Sequence, residues 1–306
     1  MRKLSFVGRP RALVAGLLLA VLSHGALAEE RPRIVAVNHA LQYFAERLGG
    51  AHVEVVFPVP EGIDPSFWRP NISDISAIQS ADLILLNGAG FATWIDRVSL
   101  PRSRVFNTSR AIEDRFIVTE SITHSHGDGG EHSHEGLASY TWLDPTLAGA
   151  QAGAIAGAMA ARDLAPPDEV FANLAALEAD LEALDKAAQA GLGAVSDTPM
   201  IATHPRYQYL AARYGLSITS LEWEAGAAPT AAEMAELEEL ASETGARVLL
   251  WEAAPPDGAM AATDALGLTS VVFEPMAHAP QEGDFVEAFN AAVAELAAAA
   301  TTPPGN

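Results

Sequence analysis

Short β-branched runs alternate with amphipathic or alanine-rich stretches along this chain, and they do so twice, on either side of one long helical segment. In the first half the strand candidates are residues 33–37, 52–58, 82–87 and 115–119; in the second they are 200–203, 217–222, 247–251 and 269–273. Helical patterns at 41–48, 72–80, 207–214 and 231–244 separate most of them. Apolar strands that alternate with helices need cover on both faces, which is the situation of a parallel sheet. Between the halves, residues 168–192 carry an apolar stripe at Val170, Leu174, Leu177, Leu181 and Leu184, opened by Pro166-Pro167 and closed by Gly191 and Gly193. That spacing predicts an amphipathic helix of ~30 Å or more.

The expected fold is therefore α/β: two lobes, each a mainly parallel four-stranded sheet with flanking helices, joined by a long spine helix. The boundaries are 29–144 for the first lobe, 145–193 for connecting helices that include a smaller Ala/Gly-rich one at 145–163, and 194–303 for the second lobe. An internal echo supports two similar topologies. IVAVNHALQYFAERLGG in the first lobe and MIATHPRYQYLAARYGL in the second each read as strand, polar turn with a histidine, then helix. The echo puts His39 and His204 where the first strand of each lobe meets its first helix, with a one-residue shift.

The N-terminus reads as a secretory leader over residues 1–28. Arg2, Lys3, Arg9 and Arg11 precede an apolar stretch at 13–22 that is too short to span a bilayer, and Ala26-Leu27-Ala28 suits cleavage. The expected address is the periplasm. With 0 cysteines there is neither a disulfide framework nor a cysteine for a lipid anchor. The net charge of −21 argues against nucleic acid and anionic membrane as partners, and the leader holds four of the 18 basic residues and none of the 39 acids. The expectation is a free monomer that does not insert in the membrane.

Residues 123–134 read THSHGDGGEHSH. Four of the chain's 9 histidines, His124, His126, His132 and His134, fall here among glycines and acids. No apolar residue anchors the segment, so it reads as a mobile loop over 123–135. Neutral imidazole is a good ligand for borderline-soft divalent metals, which makes this loop a candidate chelator.

In open parallel α/β folds ligands bind beyond the carboxyl ends of the strands. The polar groups there are His39, Asp64, Ser66, Asn87 and Tyr140 in the first lobe, and His204, Glu222, Glu224, Glu252 and Glu274 in the second. Imidazole with carboxylate suits zinc or manganese. Each group also has a plain alternative: His204 as a core or capping histidine, Glu274 as a loop carboxylate, His39 as the start of a helix, and Tyr140 as packing for Trp142. No GxSxG, HExxH, P-loop or dinucleotide fingerprint is present, so an enzyme is not expected.

These motifs resemble the metal-binding periplasmic proteins of zinc and manganese ABC importers, the ZnuA-like (cluster A-I) group. EGIDPSFWRPNISD, then ADLILLNGAG, TWLDP and THPRYQYLAARYGL are similar to the family's successive motifs over nearly the whole chain beyond the leader. The resemblance implies four metal-ligand positions, which fall here on Ser66, Tyr140, His204 and Glu274. Two of the usual ligands are thus replaced. Three outcomes stay open: His39 leans in to supply an imidazole; His204, Glu274, Tyr140 and water hold the ion weakly; or the cleft no longer binds metal and the loop does. The implied function is capture of Zn2+, or Mn2+ or a similar divalent ion, for delivery to an ABC importer permease. The alternatives are a zinc reservoir or metallochaperone on the same scaffold, and a metallohydrolase built around His204 and Glu274.

Overall fold

The computed structural model describes residues 31–119 and 136–301, with the backbone of 123–126 and 130–133. The expected leader and His134 lie outside the described residues. Among the described residues no helix is long and apolar enough to cross a membrane.

Two four-stranded sheets organise the chain. The first holds β1 (Arg33–Ala36), β2 (Glu54–Val56), β3 (Leu83–Leu86) and β4 (Val105–Asn107) in the order β2-β1-β3-β4, all parallel. Between the sheets in sequence, β5 (Thr123–His126) and β6 (Gly130–Ser133) pair antiparallel, with His124 opposite His132. The second sheet holds β7 (Pro199–Ala202), β8 (Ser217–Ser220), β9 (Val248–Trp251) and β10 (Thr269–Val272) in the order β10-β9-β7-β8, again parallel. Numbered within each sheet, both read second-first-third-fourth, so the echo in sequence corresponds to one topology used twice.

Helices cover the sheets: α1 (His39–Gly49), α2 (Ile72–Gln79), α3 (Pro145–Ala160), α4 (Pro167–Leu192), α5 (Gln208–Tyr214), α6 (Ala231–Thr244), α7 (Ala259–Asp264) and α8 (Phe285–Thr301). Two expectations change. The fourth strand of the first sheet is Val105–Asn107, whereas 115–119 contributes only an isolated bridge between Val118 and Leu137. Its Phe-Ile-Val-Thr run has strand propensity but no neighbouring strand to extend a ladder. The His-rich segment, read as a loop, pairs its backbone in the β5–β6 ladder and leaves and returns at one point. There the Thr119 N–H donates to the Gly136 carbonyl at 2.6 Å.

The spine helix α4 buries Val170, Leu177, Leu181 and Leu184 of the expected stripe, with Leu174 half-buried beside them. Its charged flank reaches both halves. Asp180 pairs with Arg47 of α1 at 2.7 Å, and Asp185 takes both Arg213 nitrogens (2.5 and 2.8 Å) and the Tyr214 hydroxyl (3.1 Å) of α5. Helix α8 closes the joint from the other side. Phe285 stacks on Tyr43 and meets Phe44 edge-on, at centroid distances of 5.5 and 5.4 Å, and Phe289 meets Phe273 at 5.7 Å. One core runs through both sheets, and a smaller one, around Trp223, Leu237 and Trp251, lies behind the second.

Past the end of β8, Glu222 is half-buried. Burial pushes its carboxyl up to about 7; Glu236 and Glu252 add to the rise and Arg206 opposes it.

Two predictions follow from this architecture. Phe285→Ala is expected to cost about 3–5 kcal/mol, read by urea denaturation, in one transition shared by both sheets. A two-step curve with only the second step moved would show that the aromatic joint does not couple them. For Glu222, the folded carboxyl lies above its unfolded value of 4.5, so its contribution to stability falls as pH rises from there to about 7. Glu222→Gln should therefore stabilise the protein at about pH 8 by on the order of 1–2 kcal/mol, and not at about pH 4; equal effects at both would contradict the assignment.

Candidate metal centre

With each sheet ordered second-first-third-fourth, the connections leave the first and third strands in opposite directions. The gap between those strand ends is the topological switch point where open α/β sheets bind ligands. In the first sheet this gap is filled. Asn38 caps α1 by accepting from the Leu41 N–H at 2.9 Å and reaches Asn87 at 3.5 Å. Asn87 donates to the Ser139 carbonyl at 2.8 Å and accepts from Gln151 at 3.1 Å, and Gln151 also donates to Thr108 and Ser109 at 2.8 and 3.0 Å. Asn87 is thus a structural hub. Gly88 follows at φ 78, where an added Cβ would lie 2.5 Å from Asn107 Oδ1.

The second sheet's switch point lies between β7 and β9 and carries charge. His204, two residues past β7, is buried; its Nδ1 lies 2.8 Å from the Trp223 carbonyl. A carbonyl only accepts, so Nδ1 carries a proton, and Nε2 is the ring nitrogen on the side through which a histidine held this way binds metal. Glu252, directly after β9, places Oε1 3.9 Å from His204 Nδ1.

Arg206 lies between these groups and the first lobe. Its Nε donates to Glu252 Oε2 at 2.9 Å and its Nη2 to Asp64 Oδ2 at 2.5 Å. Its guanidinium sits 4.8 Å from the centre of the Tyr140 ring, within cation–π range. The side chain is 9 % exposed, as against 7 % for Glu252 and 28 % for Asp64. Burial would lower the Arg206 pKa, but Tyr140, Asp64 and Glu252 together hold it above the ordinary value. Burial would likewise raise Asp64, yet Arg206 and the Ser66 N–H and hydroxyl hold that carboxyl below the usual range. Tyr140 is pushed well above its ordinary value by burial, so its phenol stays protonated.

The expected ligand positions are distributed unevenly around this cluster. Ser66 and Tyr140 face each other, hydroxyl to hydroxyl, at 3.5 Å. Tyr140 also packs on Trp142 and Phe91 at centroid distances of 4.8 and 5.5 Å, as its aromatic character suggested. Glu274 lies past β10, one strand beyond Glu252 and two beyond His204 in sheet order. It is half-buried and acts electrostatically on Tyr207, whose hydroxyl donates to the Phe273 carbonyl at 2.6 Å. His39 opens α1 with its Nδ1 3.4 Å from Gln42 Oε1, and burial lowers its pKa. The titratable groups that act on it are His278 and Asp284, and its Nε2 has no hydrogen-bond partner among the described residues. Trp142 Nε1 donates to the Pro275 carbonyl at 2.8 Å, tying the loop after Glu274 to the first lobe. Among the described residues no three His, Asp or Glu side chains converge as a ready metal shell.

Sequence reasoning picked out His204, Asp64 and Glu252 as strand-end groups and passed over Arg206. The signal available was an arginine two residues after a strand-end histidine, in a chain with 18 basic residues against 39 acids.

A profile of the family described as "Zinc-uptake complex component A periplasmic" (ZnuA) matches residues 34–299. The chain is 28% identical over 247 residues to zinc-binding lipoprotein AdcA of Streptococcus pneumoniae, covering 78% of this chain and 48% of AdcA. It is 26% identical over 231 residues to the high-affinity zinc uptake system protein ZnuA of Bacillus subtilis, covering 73% and 71%. It thus spans about half the length of AdcA. The Zn(II)-bound AdcA crystal structure from S. pneumoniae superposes with a TM-score of 0.75 at 19% identity, over 90% of this chain and 59% of that one, and so shares the fold. With the family profile matched across both sheets and the helices between them, this chain belongs to the ZnuA family.

Proposed function

We propose that this protein captures a divalent metal ion outside the cytoplasm, zinc first, and hands it to the permease of an ABC importer. What carries the reading is His204. It is buried at the switch point of the second sheet, its Nδ1 held by the Trp223 carbonyl with Glu252 3.9 Å from that nitrogen, on the scaffold of a zinc-uptake family. The protein acts by binding and release, without catalysis.

In this reading His204 anchors the ion and Glu274 stands at the other retained family position. Tyr140, held protonated, is a weak donor, and His39 lies within electrostatic reach of His278 and Asp284. Manganese is the second cargo, because one imidazole among carboxylates does not exclude a harder ion. The His-rich segment gathers metal ahead of the cleft. Its histidines bind only when neutral, so its capacity falls as pH drops through ~6.5.

The test separates cleft from loop. Because Thr119 and Gly136 are joined by a hydrogen bond, replacing 121–134 with a short Gly-Ser link should leave the frame intact. The shortened protein is expected to retain one zinc by metal analysis, and His204→Ala in it to lose that zinc. A shortened protein that never holds a stoichiometric zinc or similar ion would overturn cleft capture. The difference in zinc capacity between full-length and shortened protein should shrink between about pH 7.5 and pH 5.5; a pH-independent difference would rule out imidazole capture by the loop.

A further inference from the structure

We propose that a cavity of about 700 Å³, lined by Trp94, Arg97 and Arg206, is a binding site for a small organic carboxylate with a flat, apolar body, gripped by the Arg97 guanidinium and the Trp94 indole N–H. The site needs no metal, so the inference goes beyond the metal-capture reading and stands or falls separately from it.

Three observations carry it. First, the size and lining suit an organic molecule. The volume lies in the range of small-molecule sites, ~300–1,000 Å³, whereas six waters around an ion fill only ~180 Å³ at ~30 Å³ each. Phe67, Trp68, Pro70, Ile75, Trp94 and Val98 supply an apolar wall. Trp68 and Trp94 are buried and meet edge-on at 5.5 Å, so each ring fixes the other. Second, the wall carries a donor without an acceptor. Trp94 is 4% exposed, and its Nε1 has no hydrogen-bond partner among the described residues. An indole N–H only donates, and a buried donor left unpaired is costly. A bare cation has no lone pair to offer it, whereas a ligand oxygen does. Third, a cation stands beside that donor. Trp94 and Arg97 belong to one short 3₁₀ helix, Thr93–Arg97. Side chains three residues apart eclipse on such a turn, and both of these line the cavity. Arg97 is exposed, and its side chain makes no ion pair or hydrogen bond among the described residues. Arg69 is exposed on the same lining.

Acids on the same lining set the class of anion. Asp64 and Glu252 are engaged by Arg206, and Glu224 is exposed. These carboxylates repel a dianion such as a phosphate monoester more than they repel a single carboxylate. The planar oxygens of a carboxylate also match the fork of a guanidinium, and hydrogen bonds to a charged acceptor are the strong ones. Arg97 and Trp94 thus orient the ligand, and the aromatic wall supplies the buried area.

The probe is benzoate, added at about pH 8, where imidazoles are neutral, to protein stripped of metal over a chelating resin. Benzoate is expected to shift the Trp94 indole N–H resonance saturably, with half-saturation at about 1 mM or below. Trp94→Phe keeps a ring and removes the donor; Arg97→Gln removes the charge at an exposed position. Each should weaken benzoate binding about 10-fold or more by calorimetry. If Trp94→Phe fails to fold, Arg97→Gln decides. Benzamide, which keeps the shape without the charge, and phenyl phosphate, a dianion at this pH, should both bind more weakly than benzoate. The absence of a saturable shift with benzoate would overturn the inference. So would benzamide or phenyl phosphate binding as tightly as benzoate, or an Arg97→Gln variant that binds benzoate as well as the parent. None of these outcomes touches the zinc measurements above, and a failure to hold zinc with benzoate binding intact would strike metal capture alone.

Discussion

A guanidinium buried between two sheets must be paired, because an uncompensated charge in that setting costs several kcal/mol. In this protein the requirement is met by Asp64 on one side and Glu252 on the other, and the rest of the cleft is arranged around it. Tyr140 offers its ring face to the cation, and Ser66 stands against the Tyr140 hydroxyl while its N–H and hydroxyl steady Asp64. Ser66 and Tyr140 are the two positions where family resemblance implies imidazoles. A phenol face and a small hydroxyl suit a neighbouring guanidinium, whereas imidazoles that gain a proton would be repelled by it.

The frame was legible from one-dimensional patterns because its elements are local. The stripe from Val170 to Leu184 specifies a helix, and burial follows the stripe. The echo around His39 and His204 anticipated a shared strand order because each half repeats the same strand-turn-helix unit. The fourth strand of the first sheet was misplaced for a physical reason. Val105–Asn107 is three residues at a sheet edge, too short for alternation to register, while the more β-like 115–119 has no ladder to join. The site was harder to read. His204, Asp64 and Glu252 announce themselves as polar groups after strands. Arg206 acquires meaning only through partners 142 and 46 residues away, which no local pattern brings together.

The twofold use of one topology also separates the two switch points by chemistry. In the first sheet the gap is closed by amides and hydroxyls, Asn38, Asn87, Gln151, Thr141 and Ser109, each with hydrogen-bond partners inside the protein. Such a network is satisfied and rigid, and it gives an ion nothing to neutralise. In the second sheet the same position holds an imidazole and an arginine paired with two carboxylates. Charge therefore concentrates on the second sheet's side of the cleft, with the first lobe contributing Asp64 and the Tyr140 ring to Arg206.

That asymmetry bears on how an ion gets in. Swinging the lobes apart would separate Phe285 from Tyr43 and Phe44, break the Trp142–Pro275 hydrogen bond and disturb the α4 ion pairs to α1 and α5. Exposing even one buried phenylalanine costs about 3–5 kcal/mol, and nothing in an arriving cation restores that contact. The ion pairs of α4, the aromatic joint and the Trp142–Pro275 hydrogen bond therefore act together to hold the two sheets at one separation, and wide hinge opening is the costly route.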